Sequence, residues 1–197
     1  MLYWIIYVLL WLPIRILYPT KIINKKNIIK QKSIWACNHQ SLIDPIIVGL
    51  YNNCRLYALG KKELFKNSFS KWFYKNIGVV KVDRGAPDIN AVKNVLKILK
   101  VKNKPILVFP TGTRMKDVSE INELKNGVSM FAIKSDAPIV PMVFLNKPKL
   151  FHFTKIVVGE PIYLTKNEGQ KVDKAMLNET SEKLSKTMEN LLKEYKK

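Results

Sequence analysis

The stretch Asn38-His39-Gln40-Ser41-Leu42-Ile43-Asp44-Pro45 lies between two apolar runs, Ile34-Trp35-Ala36-Cys37 and Ile46-Ile47-Val48. That is the setting of a strand-to-helix turn, where a rigid scaffold presents polar side chains. A histidine and a carboxylate separated by four residues can meet across such a turn. The carboxylate then accepts from one ring nitrogen, fixes the tautomer and leaves the other nitrogen as a base. The chain has two histidines, and His39 is one of them. Two bland readings compete. Asp44 before Pro45 fits an N-cap with proline at the first helical position, and Ser41 with Asp44 has the spacing of a capping box. Either explains the aspartate without chemistry; neither explains the histidine.

Two further stretches carry chemistry-bearing residues. In Val79-Val80-Lys81-Val82-Asp83-Arg84-Gly85 and in Ile106-Leu107-Val108-Phe109-Pro110-Thr111-Gly112-Thr113-Arg114, an apolar strand pattern runs into a glycine-containing turn beside an arginine. That suits close approach of backbone and a planar cation to a phosphate. Each alone reads equally as a turn with a solvated arginine. Beside a His/Asp turn, the two suggest a base next to a phosphate clamp. Lys61 and Lys62 could extend the clamp or be solvated charges. His152, between Phe151 and Phe153, reads as packing or surface. Cys37 reads as a small buried side chain rather than a nucleophile.

Positioning these residues requires a regular scaffold, and the pattern from Ser33 onward supplies one. Strand signals cover 33–38, 54–59, 78–83, 105–110, 138–145 and 155–163. Helical signals cover about 45–51, 61–76, 88–101, 126–135 and the tail from 172. Strands alternating with helices predict an α/β fold with a mixed, mainly parallel sheet flanked by helices. In such a sheet the ligand site lies where strands end, which is where all three loaded stretches fall.

Composition bounds the rest. The 197 residues suit one domain with a substantial core. Lys and Arg number 34 against 15 Asp and Glu, a net charge of +19. Such a surface seeks polyanions: nucleic acid, anionic lipid headgroups or phosphorylated substrates. Four of the basic residues are arginine (Arg15, Arg55, Arg84 and Arg114), each a candidate for its bidentate fork. Cys37 and Cys54 make neither a disulfide framework nor a zinc signature, so a reduced intracellular setting is expected. Residues 1–14 are uncharged and apolar, shorter than the roughly 20 residues a membrane span needs. They lack the features of a cleaved signal peptide. Tyr3, Trp4, Tyr7, Trp11 and Tyr18 favour the headgroup level, and Lys21, Lys25, Lys26, Lys30 and Lys32 follow, as beside an anionic leaflet. The expectation is a membrane-interfacial helical anchor over 1–32 and a catalytic domain over 33–197; the competing reading is an ordinary core helix.

At these residues the chain resembles the glycerolipid acyltransferase family. The family's first motif, NHxSxxD, is matched by Asn38, His39, Ser41 and Asp44. The second, an arginine after an apolar strand, is matched by Val82-Asp83-Arg84. The third, FPEGTR, is met at five of six positions by Phe109-Pro110-Thr111-Gly112-Thr113-Arg114, and the fourth by Ala137-Pro138-Ile139-Val140-Pro141. Lys61-Lys62-Glu63-Leu64-Phe65 and Gly159-Glu160-Pro161-Ile162 are also similar to family sequence. The resemblance implies transfer of a fatty acyl chain from an activated donor to the free hydroxyl of 1-acyl-sn-glycerol 3-phosphate (lysophosphatidic acid), giving phosphatidic acid in phospholipid biosynthesis. It implies His39 as base and Asp44 as its orienting partner. Arg84 and Arg114 would sit on the acceptor phosphate, with Lys61 a weaker contributor. Gly112, flanked by Thr111 and Thr113, would let backbone approach substrate. No metal or cofactor is expected; acyl-carrier protein, acyl-coenzyme A or acyl-phosphate would serve as co-substrate. Placement at the cytoplasmic face of the cell membrane, peripheral or monotopic, is expected with the same likeness, and the lysines after the N-terminal segment make an anionic membrane surface the expected partner. One position departs: Thr111 stands where the family has glutamate, and a threonine supplies no charge.

Other readings remain on the residues alone. The acceptor could be another lysolipid or glycerol 3-phosphate, or the protein could bind anionic lipid without catalysis. A nucleic-acid module is permitted by charge, but no motif of stacking aromatics or zinc ligands supports it, so no specific nucleic-acid partner is expected.

Overall fold

The computed structural model describes residues 1–83, 88–115, 121, 124–164 and 173–196. Its centre is a seven-stranded sheet built from β1 (Thr20–Ile23), β2 (Ile34–Cys37), β3 (Tyr57–Lys61), β4 (Val79–Val82), β5 (Ile106–Val108), β6 (Ile139–Phe144) and β7 (Thr154–Val158). The spatial order is β1-β7-β6-β2-β5-β3-β4. Five strands, β6, β2, β5, β3 and β4, run parallel; β7 pairs antiparallel with β6, and β1 lies parallel to β7. The mixed, mainly parallel sheet is therefore present. One consequence of the strand directions organises the molecule. The C-terminal ends of the five parallel strands share one edge of the sheet with the starts of β1 and β7.

Side-chain alternation along the strands divides the core in two. Ile34 and Ala36 of β2, Ile106 and Val108 of β5, and Ile139 and Val143 of β6 face one layer; Trp35, Cys37, Leu107, Val140, Met142 and Phe144 face the other. Burial on both faces explains why these strands read as near-continuous apolar runs. The first layer is covered by α4 (Ile89–Lys100), α5 (Gly127–Ser135) and α6 (Lys174–Tyr195), whose Val95, Leu99, Phe131, Leu184 and Met188 enter the core. The second is covered by α1 (Leu2–Leu17) and α2 (Asp44–Tyr51), through Ile14, Ile47, Val48 and Tyr51. At the far edge α3 (Ser68–Ile77) packs beside β4. Asn67 and Ser70 start α3 with a reciprocal capping box, and Gly78, at φ +94°, ends it in the left-handed conformation that glycine adopts without strain.

The differences from the sequence reading are local. The helical signal at 61–76 is split into a single 3₁₀ turn, Lys62–Leu64, and α3. The strand signal at 155–163 stops at Val158, after which Ile162 makes one isolated bridge to Ile139. Thr20–Ile23, grouped in the sequence with the N-terminal segment, is an edge strand of the sheet. Among the described residues no helix is long and apolar enough to cross a membrane. α1 buries Ile14 and turns Tyr3 and Tyr7 inward, where their hydroxyls donate to the carbonyls of Cys54 and Leu50. Its opposite side leaves Trp4, Ile5, Val8, Leu9, Leu12 and Ile16 in solvent.

Candidate active site

β2 ends at Cys37, and the chain turns through Asn38–Ile43 into α2. Asn38 is buried and its amide does the work of an extra strand residue. Its Nδ2 donates to the carbonyl of Phe144 at 3.1 Å, and its Oδ1 accepts from the Phe144 N–H at 2.7 Å. The turn is thereby fastened to the end of β6 before His39 leaves the sheet. Sequence reasoning counted Asn38 in the motif without giving it a task; a buried amide at a strand end is the signal that points to one.

Asp44 is the first residue of α2, and Ile43 occupies the cap position without a side-chain bond. Asp44 is therefore not the N-cap; of the capping box the return bond is made, from the Ser41 N–H to the Asp44 carboxylate, while the Asp44 N–H bonds the Ser41 carbonyl rather than its hydroxyl. Oδ2 accepts from His39 Nδ1 at 2.9 Å and from the backbone N–H groups of Gln40 and Ser41, each at 2.7 Å. The other oxygen, Oδ1, is buried without a hydrogen-bond partner among the described residues. Asp44 is 0% exposed, His39 13%. A carboxylate oxygen already taking two amides is an acceptor for Nδ1–H as well, so the neutral ring carries its proton there and presents a bare Nε2. The positive end of α2 supports the carboxylate's charge.

The ring is held from its flat side too. Phe109, just past β5 (Ile106–Val108), stacks on His39 with centroids 4.0 Å apart and planes 17° from parallel. The loop it begins is tied to the same turn, since the Met115 N–H donates to the His39 carbonyl at 2.7 Å. Within that loop Gly112 sits at φ +73° and its N–H bonds the carbonyl of Phe109. A side chain at 112 would meet Lys125, whose Nζ lies 3.1 Å from where a β-carbon would stand. The Lys125 N–H bonds Pro110, so this lysine, which sequence reasoning passed over, belongs to the loop. Thr111 spends its hydroxyl on the carbonyl of Thr113 at 2.8 Å. Thr113 and Arg114 are exposed.

Lys61 and Lys62 follow along the same sheet edge. Lys61 closes β3, one strand beyond β5; it is exposed and makes no ion pair among the described residues. Lys62 instead pairs with Asp83 at 2.7 Å, bridging the ends of β3 and β4. Arg84 lies outside the described residues. Asp88 caps α4, its carboxylate accepting from the N–H groups of Ala91 and Asp83; these bonds hold its pKa below the usual carboxylate value. With strands about 4.8 Å apart, β2, β5 and β3 place their C-terminal ends within roughly 10 Å of one another. Of the other arginines, Arg15 lies against Trp11 and Tyr51, and Arg55 against Tyr3 and Tyr57. Both guanidinium groups are spent on aromatic packing.

The two thiols are chemically quiet. Burial, with the nearby Asp44 charge, pushes Cys37 well above an ordinary thiol, and burial raises Cys54 to about 11. His152 is exposed and its Nδ1 bonds the carbonyl of Leu150. No group of His, Cys, Asp and Glu among the described residues is placed to hold a metal ion. The arrangement thus offers an oriented imidazole base at a sheet edge lined by exposed cations.

A model of the acyltransferase family matches residues 19–145. Over 154 residues the chain is 31% identical to the 1-acyl-sn-glycerol-3-phosphate acyltransferase of Bacillus subtilis, covering 73% of each protein. It is 34% identical over 118 residues to the Helicobacter pylori protein of the same name, covering 58% of this chain and 49% of that one. To the Saccharomyces cerevisiae protein of that name it is 28% identical over 187 residues, 88% of this chain and 60% of the relative. The match thus spans most of the Bacillus relative but less than two thirds of the other two. Among solved structures, the 1-acyl-sn-glycerophosphate (LPA) acyltransferase PlsC of Thermotoga maritima superposes with a TM-score of 0.61, over 87% of this chain and 71% of that one, at 23% identity. That likeness is one of fold.

Proposed function

This chain belongs to the acyltransferase family, and from that premise we propose that it acylates the free hydroxyl of 1-acyl-sn-glycerol 3-phosphate, forming phosphatidic acid. The observation that carries the reading is the His39–Asp44 pair, with Nε2 bare at the edge where the Phe109–Arg114 loop ends. Nε2 takes the hydroxyl proton as the oxygen attacks the donor's acyl carbonyl. The carboxylate of Asp44 stabilises the imidazolium that forms. A carbon–oxygen ester bond is made, the bond from the carbonyl to the donor's sulfur or phosphate oxygen breaks, and the proton passes to the departing group. Arg114 and Lys61 receive the acceptor phosphate, joined by Arg84. Gly112, between Thr111 and Thr113, lets the Lys125 side chain lie against the loop backbone, adding a further cation beside Arg114.

A donor-by-acceptor matrix tests the assignment. Purified protein is offered acyl-carrier protein, coenzyme A and phosphate donors against lysophosphatidic acid, other lysolipids and glycerol 3-phosphate. Turnover should be greatest with lysophosphatidic acid. A preference for glycerol 3-phosphate, or no turnover with any pair, overturns it.

Thr111 gives a sharper test of the acceptor site. Thr111→Glu places a carboxylate in the loop that Lys125 crosses and beside Arg114, where it can accept from the acceptor's glycerol moiety. The expected result is a rise in kcat/KM for lysophosphatidic acid of about tenfold, the worth of one charge-assisted hydrogen bond. Steady-state kinetics with acceptor varied at saturating donor measure it. An unchanged or lower value assigns Thr111 to a different acceptor geometry.

The same reading makes α1 the contact with an anionic membrane surface. Ile5, Leu9 and Leu12 lie on its solvent side, all more than half exposed, at one helical face. Exchanging all three for glutamine leaves Ile14 and the inward tyrosines in place. Vesicle affinity should fall by at least roughly tenfold with little change in Tm, since each loses its transfer of apolar area. Binding that survives the exchange removes α1 from this role.

A further inference from the structure

The loop from β6 (Ile139–Phe144) to β7 (Thr154–Val158) carries an apolar tip with no internal use. Leu150, Phe151 and Phe153 are 52%, 70% and 59% exposed. The tip is not slack. His152 N–H bonds the carbonyl of Lys149, and the Phe151 N–H donates at 2.7 Å to the carbonyl of Leu17, the last residue of α1. Phe151 is held at φ +58°, a conformation costly for a bulky side chain. A fold that only needed to turn here would place glycine or asparagine at such a position. Instead two phenyl rings are displayed on a hydrogen-bonded turn.

Its position is informative. Phe144, just before the loop, is the residue that Asn38 clamps, so the tip rises from the sheet edge that carries His39. The bond to Leu17 ties it to the C-terminal end of α1, whose last turns leave Ile16 and Leu12 exposed. Lys147 and Lys149 precede the tip and are exposed. At the same corner Lys21 and Lys155 stand opposite each other in the β1–β7 register, both exposed. Like charges in register repel, and an anionic partner relieves that. Apolar rings among lysines fit an anionic phospholipid bilayer.

We propose that the Leu150–Phe153 tip is a second membrane-inserting element, which docks the catalytic edge of the sheet against an anionic bilayer. It rests on the membrane reading of α1 above and extends it from a helix lying on the surface to a two-point contact. The two points fix the orientation of the domain, because one contact leaves it free to pivot and two do not.

The test uses the full chain. Phe151→Cys is labelled at pH 7 with an environment-sensitive fluorophore, the buried Cys37 and Cys54 being protected from reaction. With phosphatidylcholine vesicles containing phosphatidylglycerol, the emission should shift to the blue and be quenched by lipids brominated in their acyl chains. In parallel, the double variant Phe151→Gln, Phe153→Gln should bind those vesicles about tenfold more weakly. It should keep its turnover of a short-chain acceptor dissolved as monomers. A label that retains its aqueous emission while the protein co-sediments with vesicles overturns the proposal. So does a double variant that binds as the unaltered protein does. A blue shift that appears without vesicles and grows with protein concentration assigns the tip to an interface between copies, which also overturns it. If the label inserts while no lysolipid is acylated, the activity reading fails and the membrane contact stands.

Discussion

Replacing His39 with alanine should lower kcat/KM for the acylation reaction by roughly 10²- to 10⁴-fold, the usual contribution of a positioned general base. The structure gives reason to expect that the protein survives the change. The bond from Met115 to this residue uses the main-chain carbonyl, which alanine keeps, and Asp44 retains its two amide donors. What is lost is the ring, its contact with Phe109 and its Nε2. Circular dichroism and Tm should therefore match the unaltered protein while turnover collapses. Activity above a tenth of the original would remove His39 from the chemistry.

Asp44→Asn is expected to have the next largest effect, and a mixed one. An asparagine must present its single carbonyl oxygen to three donors, His39 Nδ1–H and the amides of Gln40 and Ser41. Its NH₂ group then falls where Oδ1 now lies, a buried position with no partner among the described residues. An unpaired buried donor costs about 1–3 kcal/mol, which for a domain of this size lowers Tm by roughly 2–12 °C. The imidazolium also loses its counter-charge, and turnover should fall on the order of a hundredfold, less than for His39→Ala. A lower Tm with unchanged turnover would make Asp44 a purely structural residue. Thermal melts and kinetics on one preparation separate the outcomes.

The sheet was legible because most of its strands are buried on both faces and announce themselves as apolar runs. β1 was not. Thr20-Lys21-Ile22-Ile23 is four residues long, lies at an edge and carries a lysine, the device by which edge strands avoid further pairing. In a sequence, that lysine is indistinguishable from one beside a membrane helix. The His39–Asp44 pairing was legible from spacing, but the same spacing admitted two capping schemes. The box spacing places the carboxylate on the Ser41 N–H; the structure adds the Gln40 N–H and the imidazole to the same oxygen. The supports of the site were harder to see. Phe109 reads as one more apolar residue until it is found stacked on the imidazole, and Asn38 makes its bonds to a residue 106 positions away. Lys125 reaches Gly112 across a segment whose pattern carries no hint of the meeting.

The packing of α1 on α2 has a geometric outcome. Tyr7 donates to the carbonyl of Leu50, Arg15 lies 4.8 Å over the ring of Tyr51, and Tyr51 bonds back to the carbonyl of Tyr18. The two helices thus move as one piece, and the first residue of the second is the carboxylate that aims His39. Packed helix axes lie about 8–10 Å apart. Whatever surface α1 rests on, the imidazole rides at a set altitude above it, as the blade of a plane rides above its sole. A hydroxyl carried at that altitude is within reach; one sunk among hydrocarbon tails is not. On the membrane contact proposed above, choice among acceptors would then be made partly by a ruler, before any side chain has touched the substrate.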